Sequence, residues 1–587
     1  RGSEKSGNAP GAKGPDASAL SGMHMAHIVP HGDDPHASWF GHWPPGLPLD
    51  LHVPETTIHY NLEVTARRYP LLDCLVFCGT RMSYEQVQAE VEHLAGFLQK
   101  RYGLARGERV LLCLQNSPQF VIGYYAILRA DAVVVPVNPM SRQIELEHLA
   151  RDTGARVALA DRDMLPAVRP LLEAGLIDRL VVADYADYVA PGFDLPLPFP
   201  ALPAAGPLDE GMVAWRDAIA ARERPAPSLA GPDDLAVLPY TSGTTGAPKG
   251  CMHTHRTVMV TLIGGERWVQ APTGAVNLAT LPFFHVTGMQ NSMNIPIYAA
   301  GTLVILPRWD RRVAAELVRR HRVDRWRMIS TMAVDLVNDP DFDSYDLSSL
   351  RYVGGGGAPM PEAIAARLRE KTGLAYIEGY GLSEAMAATH INPTHRPKPR
   401  CLGIPVWGVD CRILDTDTGQ LLPDGEVGEI VMDAPQLFKG YWNNPEATEA
   451  AFVEVAGKRF FRSGDIGYRD EDGYFFIVDR SKRMINASGF KVWPSEVEAL
   501  MLRHPAIAEV CVVSVPDPRR GESVKALVVL RRGHEGSVTE QDLSGWCRDS
   551  MASYKCPRHI EFRTALPRSP TGKILWRELQ AREWQEA

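Results

Sequence analysis

Residues Tyr240–Gly250 read YTSGTTGAPKG and directly follow an apolar strand candidate, Leu235–Leu238. The glycines permit a tight turn and let backbone N–H groups approach an anion. Thr241, Ser242, Thr244 and Thr245 add hydroxyl donors and Lys249 adds a cation, so the segment suits a polyphosphate. It is not a Walker A loop, because Pro248 rather than Gly precedes the lysine and Gly250 rather than Ser or Thr follows it.

The loop sits in a chain of alternating patterns. From Met82 onward helical stretches such as SYEQVQAEVEHLAGFLQ alternate with apolar runs, RVLLCL, AVVVPV, ARVALA and RLVVA. That alternation predicts strands of a mostly parallel sheet joined by helices. A Pro-rich stretch over residues 190–232 interrupts it and reads as a long surface loop, after which the α/β pattern resumes to about residue 400. Past residue 480 come a helix (SEVEALMLRH), two strands (EVCVVSV and VKALVVL) and a second helix (TEQDLSGWCRDSM). This order predicts a separate small α+β domain with its boundary near Arg480. At 587 residues the chain exceeds what one hydrophobic core serves, which agrees with two or more domains. Residues 1–22 are small, polar and without periodicity and read as linker or expression scar, leaving 23–480 and 481–587 as the two domains.

Composition removes several function classes. Lys and Arg total 62 against 70 Asp and Glu, with no basic stripe of the kind nucleic-acid binding needs. The nine cysteines are scattered and lack CxxC spacing, which favours reduced thiols in a cytoplasm over disulfides or structural zinc. His24, His27, His31, His36 and His42 follow one another without any ligand spacing, so no metal site is expected there. The most apolar stretches are interrupted by Arg129, Asp131 and Pro136, so no integral membrane segment is expected.

Five further segments fall in order along the chain: GGGAPM at Gly355–Met360, YGLSE at Tyr380–Glu384, RSGDIGY at Arg462–Tyr468, DRSKRMINASGFKVWPSEVE at Asp479–Glu498, and PRSPTGKI at Pro567–Ile574. With the Tyr240–Gly250 loop they resemble the motif set of the adenylate-forming superfamily, in its acyl-CoA synthetase branch. The resemblance implies an α/β fold with a large N-terminal domain of α/β-sheet subdomains and a smaller mobile C-terminal α+β domain. It also implies ATP, Mg2+ and coenzyme A as cofactors and co-substrates.

Roles follow residue by residue from that resemblance. Thr241, Ser242, Gly243, Thr244, Thr245, Gly246 and Lys249 resemble the phosphate loop, with Thr244 among the catalytic positions. Gly355, Gly356, Gly357, Ala358 and Pro359, with Tyr380 and Gly381, resemble the adenine pocket, where small residues expose backbone to the base and the Tyr380 ring can stack on it. Ser383 stands where the family more often has threonine and keeps the hydroxyl for the α-phosphate. Glu384 matches a magnesium ligand. Asp465 and Arg480 match ribose and phosphate contacts, and Lys482 falls at the hinge between the domains. Lys573 resembles the lysine that reaches the carboxylate and α-phosphate, offsetting the repulsion of two anions brought together. Gly489 would let a pantetheine arm approach, and Lys491 would meet a coenzyme A phosphate.

The acid is read from Trp268–Pro307, forty residues without Asp, Glu, Lys or Arg. The stretch contains Pro282-Phe283-Phe284-His285, which matches a segment bordering the acyl pocket, with His285 among the catalytic residues. An uncharged wall favours an apolar tail over an amino acid or dicarboxylate. Amino-acid-activating relatives place an aspartate near here, and His285-Val286-Thr287-Gly288 offers none. The sequence runs 14 residues past Lys573, so no carrier-protein domain is expected to follow. The expected activity is ATP-dependent ligation of a medium- to long-chain fatty acid to coenzyme A, in the cytoplasm, by a chain for which a homodimer is compatible. Alternatives are an aryl- or phenylalkanoate-CoA ligase, an acyl-AMP ligase loading a carrier protein, and a non-enzymatic adenylate-binding sensor.

Overall fold

The computed structural model describes residues 26–28, 38–196, 208–241, 248–357, 359–480, 483–487, 490–517, 521–551, 555–569 and 573–586. Two sheets with parallel centres dominate the large domain. In one, seven strands run in the order His253–Thr254, Leu235–Val237, Val133–Pro136, Arg109–Cys113, Val157–Asp161, Arg179–Ala183 and Met212–Ala214. The other has nine strands, with Tyr376–Leu382, Tyr352–Gly356, Arg325–Arg327, Val276–Ala279, Thr302–Ile305 and Asp73–Phe77 parallel at its centre.

A continuous core joins the sheets through helices Ile58–Arg68, Tyr84–Tyr102, Pro118–Arg129 and His255–Val269. The sequence sets the bounds of these helices. Ser83 and Gln86 form a capping box ahead of Tyr84, and Gly103 ends that helix at φ 68°. Thr254 caps the start of His255–Val269 by accepting from the Thr257 backbone. Helix Pro118–Arg129 is buried along almost its whole length, as expected of a helix between two sheets.

The expected surface loop over residues 190–232 needs correction. Within its described part lie an edge strand, Met212–Ala214, and a short helix, Trp215–Ala220. Trp215 is fully buried and its indole N–H donates to the Tyr188 hydroxyl at 3.0 Å, an anchor that outweighs the local proline content. A third unit also escaped the pattern reading: an antiparallel sheet of Asp410–Leu414, Gly428–Asp433, Phe452–Val455, Lys458–Arg469 and Phe475–Arg480.

The small domain is an antiparallel hairpin, Ile507–Asp517 against Gly521–Leu530, extended by Ile485–Ala487, Phe490–Val492 and His559–Phe562. Helices Pro494–Met501 and Glu540–Ser550 cover one face, where Val497, Met501 and Leu543 enter the core. Asp479, on the last strand of the preceding sheet, accepts a hydrogen bond at 2.7 Å from the Ser495 backbone at the start of Pro494–Met501. Among the described residues no helix is long and apolar enough to cross a membrane.

Candidate active site

Strands Tyr352–Gly356 and Tyr376–Leu382 lie side by side, with Gly355 opposite Glu378 and Gly356 opposite Gly379. A Cβ on Gly355 would come within 2.1 Å of the Met328 carbonyl, and one on Gly356 within 2.3 Å of the Gly379 carbonyl. The glycines are therefore demanded first by strand packing, and the same bareness leaves backbone facing the cleft. Tyr380 follows, 8% exposed, and its hydroxyl donates to Asp465 Oδ2 at 2.5 Å. Asp465 is fully buried, and its own backbone N–H donates to Ser463 Oγ at 3.0 Å. Arg480 stands opposite Asp465 in the strand register. Beside them Glu378 accepts from the Arg400 backbone at 3.0 Å, and burial pushes its carboxyl up to about 7.

In the YTSGTTGAPKG segment the described ends form a two-strand ladder in which Tyr240 pairs with Gly250 and Thr241 with Lys249. Tyr240 fixes the ladder by donating to Asp152 at 2.5 Å. Lys249 Nζ sits 5.0 Å from the centroid of the Tyr441 ring, and the Tyr441 hydroxyl donates to Glu384 Oε1 at 2.8 Å. One tyrosine thus places a cation and a carboxylate on the same wall. Glu384 lies in the short turn Ser383–Ala385 that ends strand Tyr376–Leu382. Behind that turn His253, fully buried, is 2.7 Å from the Ser383 carbonyl. Burial lowers its pKa to about 4, so the ring is neutral and Nε2–H is the donor to that carbonyl. Cys251 is also fully buried beneath the ladder, and burial together with the Glu384 charge pushes its thiol well above its usual value.

On the acid side Asn116 clamps the PFFH segment. Its Nδ2 donates to the Leu281 carbonyl at 2.9 Å and its Oδ1 accepts from the Phe283 backbone at 2.7 Å. Phe284, His285 and Val286 then line the cleft. His285 Nδ1 accepts from the Thr287 backbone at 3.2 Å, which leaves Nε2 to carry the proton of the neutral ring. Burial, with the charge of Lys573 as a second cause, lowers this histidine to about 4. Lys573 comes from the small domain, on a tight hairpin where the Ser569 backbone donates to the Lys573 carbonyl at 2.7 Å and the Lys573 backbone donates to Ser569 Oγ at 3.1 Å.

Many of these groups line one cleft of about 2920 Å3 that runs between the domains; Asn116, Cys251 and His253 do not. It brings together Thr241, Lys249, His285, Gly355, Gly356, Gly357, Pro359, Tyr380, Gly381, Ser383, Glu384, Asp465 and Lys573. Ser242, Gly243, Thr244, Thr245, Gly246, Ala358, Lys482 and Gly489 lie outside the described residues, and Lys491 is placed only as the strand partner of Asn486. Arg327, on the strand Arg325–Arg327 beyond the uncharged stretch 268–307, also lines the cleft. Tyr441, Asn116 and Glu378 were missed as well; each acts through partners distant in sequence, and no local pattern marks them. Among the described residues no group of three or more His, Cys, Asp or Glu forms a metal cage.

A family model described as AMP-binding enzyme matches residues 62–442, and one described as AMP-binding enzyme C-terminal domain matches residues 496–573. A long-chain-fatty-acid–CoA ligase of Bacillus subtilis (strain 168) is 35% identical over 563 residues, 93% of this chain and 98% of that protein. The 4-coumarate–CoA ligase 3 of Oryza sativa subsp. japonica is 31% identical, covering 86% of this chain and 88% of that protein. Among solved structures, ATP-bound MatB from Rhodopseudomonas palustris superposes with a TM-score of 0.80 at 26% identity, over 90% of this chain and 99% of that one. With its two family domains in order along the chain, the protein belongs to the AMP-binding enzyme family.

Proposed function

We propose that the chain is an ATP-dependent acyl-CoA ligase for medium- to long-chain acids. The observation that carries this reading is the convergence of Lys249, Glu384, Asp465 and Lys573, from four separate segments, on one cleft that Phe284 and Val286 also line. The identity to a long-chain-fatty-acid–CoA ligase over nearly the whole of both chains supports the substrate class.

In the first half-reaction a carboxylate oxygen attacks the α-phosphorus of ATP, a new P–O bond forms, and the bond to the β-phosphate breaks to release pyrophosphate. Lys249 and Lys573 approach the reacting anions from opposite domains and offset their repulsion. Asp465 and Tyr380 hold ribose and base, and the Nε2–H of neutral His285 can donate to the acid. A bound Mg2+ would neutralise charge on the phosphates. Glu384, a single carboxylate oriented by Tyr441, fits an ion that takes its other ligands from phosphates and water. In the second half-reaction the thiol of coenzyme A gives up its proton to solvent, its sulfur attacks the acyl carbon, a C–S bond forms, and the acyl C–O bond breaks to release AMP. Lys482, Gly489 and Lys491 serve this step in the hinge and thiol channel, with domain limits at 23–480 and 481–587.

The experiment is AMP release from ATP and coenzyme A with saturated acids of four to eighteen carbons beside benzoate and 4-coumarate. A maximum in the aliphatic series is expected. A maximum at an aryl acid would favour the second reading, to which the 4-coumarate–CoA ligase relative points. Absence of pyrophosphate release with every acid would leave the sensor reading. The same preparation, sized by light scattering, tests the homodimer, and fractionation of the source cells tests the cytoplasmic location.

A further inference from the structure

Strand Arg325–Arg327 presents its two arginines to one face and buries Trp326 in the core of the other. Each is only 8% exposed. Arg325 has a counter-ion: Asp324 lies 3.5 Å from its Nε, and its Nη2 donates to the Gln270 carbonyl at 3.4 Å. Arg327 has none. Its Nη1 donates to the Asn291 carbonyl at 2.9 Å and its guanidinium lies 5.2 Å from the Tyr352 ring centroid, but among the described residues no carboxylate stands within 4.0 Å of it. Glu266, across a small void from both arginines, is the other acid nearby and is paired with Arg267 at 3.8 Å.

A guanidinium removed from water is costly unless an anion and hydrogen-bond acceptors replace the lost solvent. Arg327 is held by one carbonyl and one ring face, and it borders the same cleft as Phe284, His285 and Asn291. Resting on the acyl-CoA ligase reading, we propose that Arg327 is a specificity-determining residue for an acid with a second carboxylate: one carboxylate is adenylated beside Lys573 while the other pairs with Arg327. The planar guanidinium offers its remaining N–H donors to a carboxylate in the usual two-pronged geometry. The aliphatic and aromatic walls between them contact the methylenes that join the two carboxylates.

The test uses the full chain with ATP and coenzyme A, and compares matched pairs of acids from four to twelve carbons, each an α,ω-dicarboxylate against the monocarboxylate of equal length. In the parent protein kcat/KM for at least one dicarboxylate should exceed that of its monocarboxylate partner at least about tenfold, the scale of one charge-assisted pair. Arg327→Met should reverse that preference through KM, and Arg327→Lys should retain part of it. A parent preference for the monocarboxylate at every length overturns the proposal without need of a variant, and so does an Arg327→Met variant that lowers both series equally. Intrinsic fluorescence titration of the ATP-loaded chain with the same acids reads the pairing independently of turnover. Tighter dicarboxylate binding without AMP release would sustain the role of Arg327 and remove the ligase reading. Release of AMP with monocarboxylates alone would do the opposite.

Discussion

The glycine-bearing wall around Tyr380 and the Lys573 hairpin both line the cleft and are built on opposite plans. The wall is made of adjacent sheet strands so close that Gly355 and Gly356 admit no side chain, backed by a buried Tyr380–Asp465 pair. The hairpin presents an exposed lysine whose backbone is held by two hydrogen bonds to Ser569. On the proposed chemistry a nucleotide would stay on the rigid wall through both half-reactions, whereas Lys573 would be needed only while two anions are being joined. Fixed groups therefore belong to what both steps share, and a detachable element to what one step needs.

The sharpest way to break this contrast is Lys573→Ala. Adenylation, read as pyrophosphate release, should fall about 100- to 1000-fold, as when a transition-state donor is removed. Thioester formation from supplied acyl-adenylate should stay within about twofold, since the wall that binds AMP is untouched. Equal loss in both assays would mean that the hairpin and the wall act as one unit. Next in size is Asp465→Ala, which strips the wall of its ribose acceptor and leaves the buried Tyr380 hydroxyl without this partner. Here both half-reactions should suffer together, with KM for ATP rising about 10- to 100-fold, the range for a hydrogen bond to a charged group. A defect confined to adenylation would contradict the shared-wall assignment.

Glu384→Gln tests the metal-binding part of the wall with a smaller effect. The Tyr441 hydroxyl still has an oxygen to meet, but an amide is a weaker ligand for a hard cation, so half-maximal magnesium should rise about tenfold. An unchanged magnesium requirement would remove Glu384 from the metal site. The smallest effect concerns the rigidity of the wall against acid. His390 packs its ring 4.7 Å from Phe475 and 5.7 Å from Tyr380, and burial lowers it to about 3. An unfolded chain takes up that proton below about 6.5 while the folded one does not, so its share of stability is present above pH 6.5 and is lost as pH falls toward 3. His390→Phe should make the loss of urea stability between pH 7 and pH 5 shallower, by up to about 1 kcal/mol per pH unit below 6.5. An identical slope in parent and variant would show that other groups, among them His59, His253, His255 and His285, carry the acid response.

What could be read from the sequence was what lies close together in it. The parallel strands, the glycine-bearing wall and the Lys573 hairpin are each continuous segments with their own patterns, and the cleft gathers their described residues. Missed were contacts assembled by the fold. Tyr441 reaches Glu384 across 57 residues, and Asn116 reaches Phe283 across 167. Arg327 escaped because an acyl wall was read from one contiguous window, while the adjacent strands of a sheet come from separate parts of the chain. The edge strand at Met212–Ala214 was hidden by flanking prolines, whose local preference yields to the buried anchor at Trp215.

Cys251 has a consequence for the survival of the protein itself. A mixed anhydride acylates any thiolate it meets, and this buried thiol belongs to the residue directly after the ladder strand Lys249–Gly250. The ionised sulfur, not the thiol, is the nucleophile, and burial beside the Glu384 carboxylate keeps Cys251 protonated. Eight of the nine cysteines are buried, with only Cys556 partly exposed. The chain thus stays inert toward its own intermediate, and the acyl group is kept for a sulfur that arrives from outside.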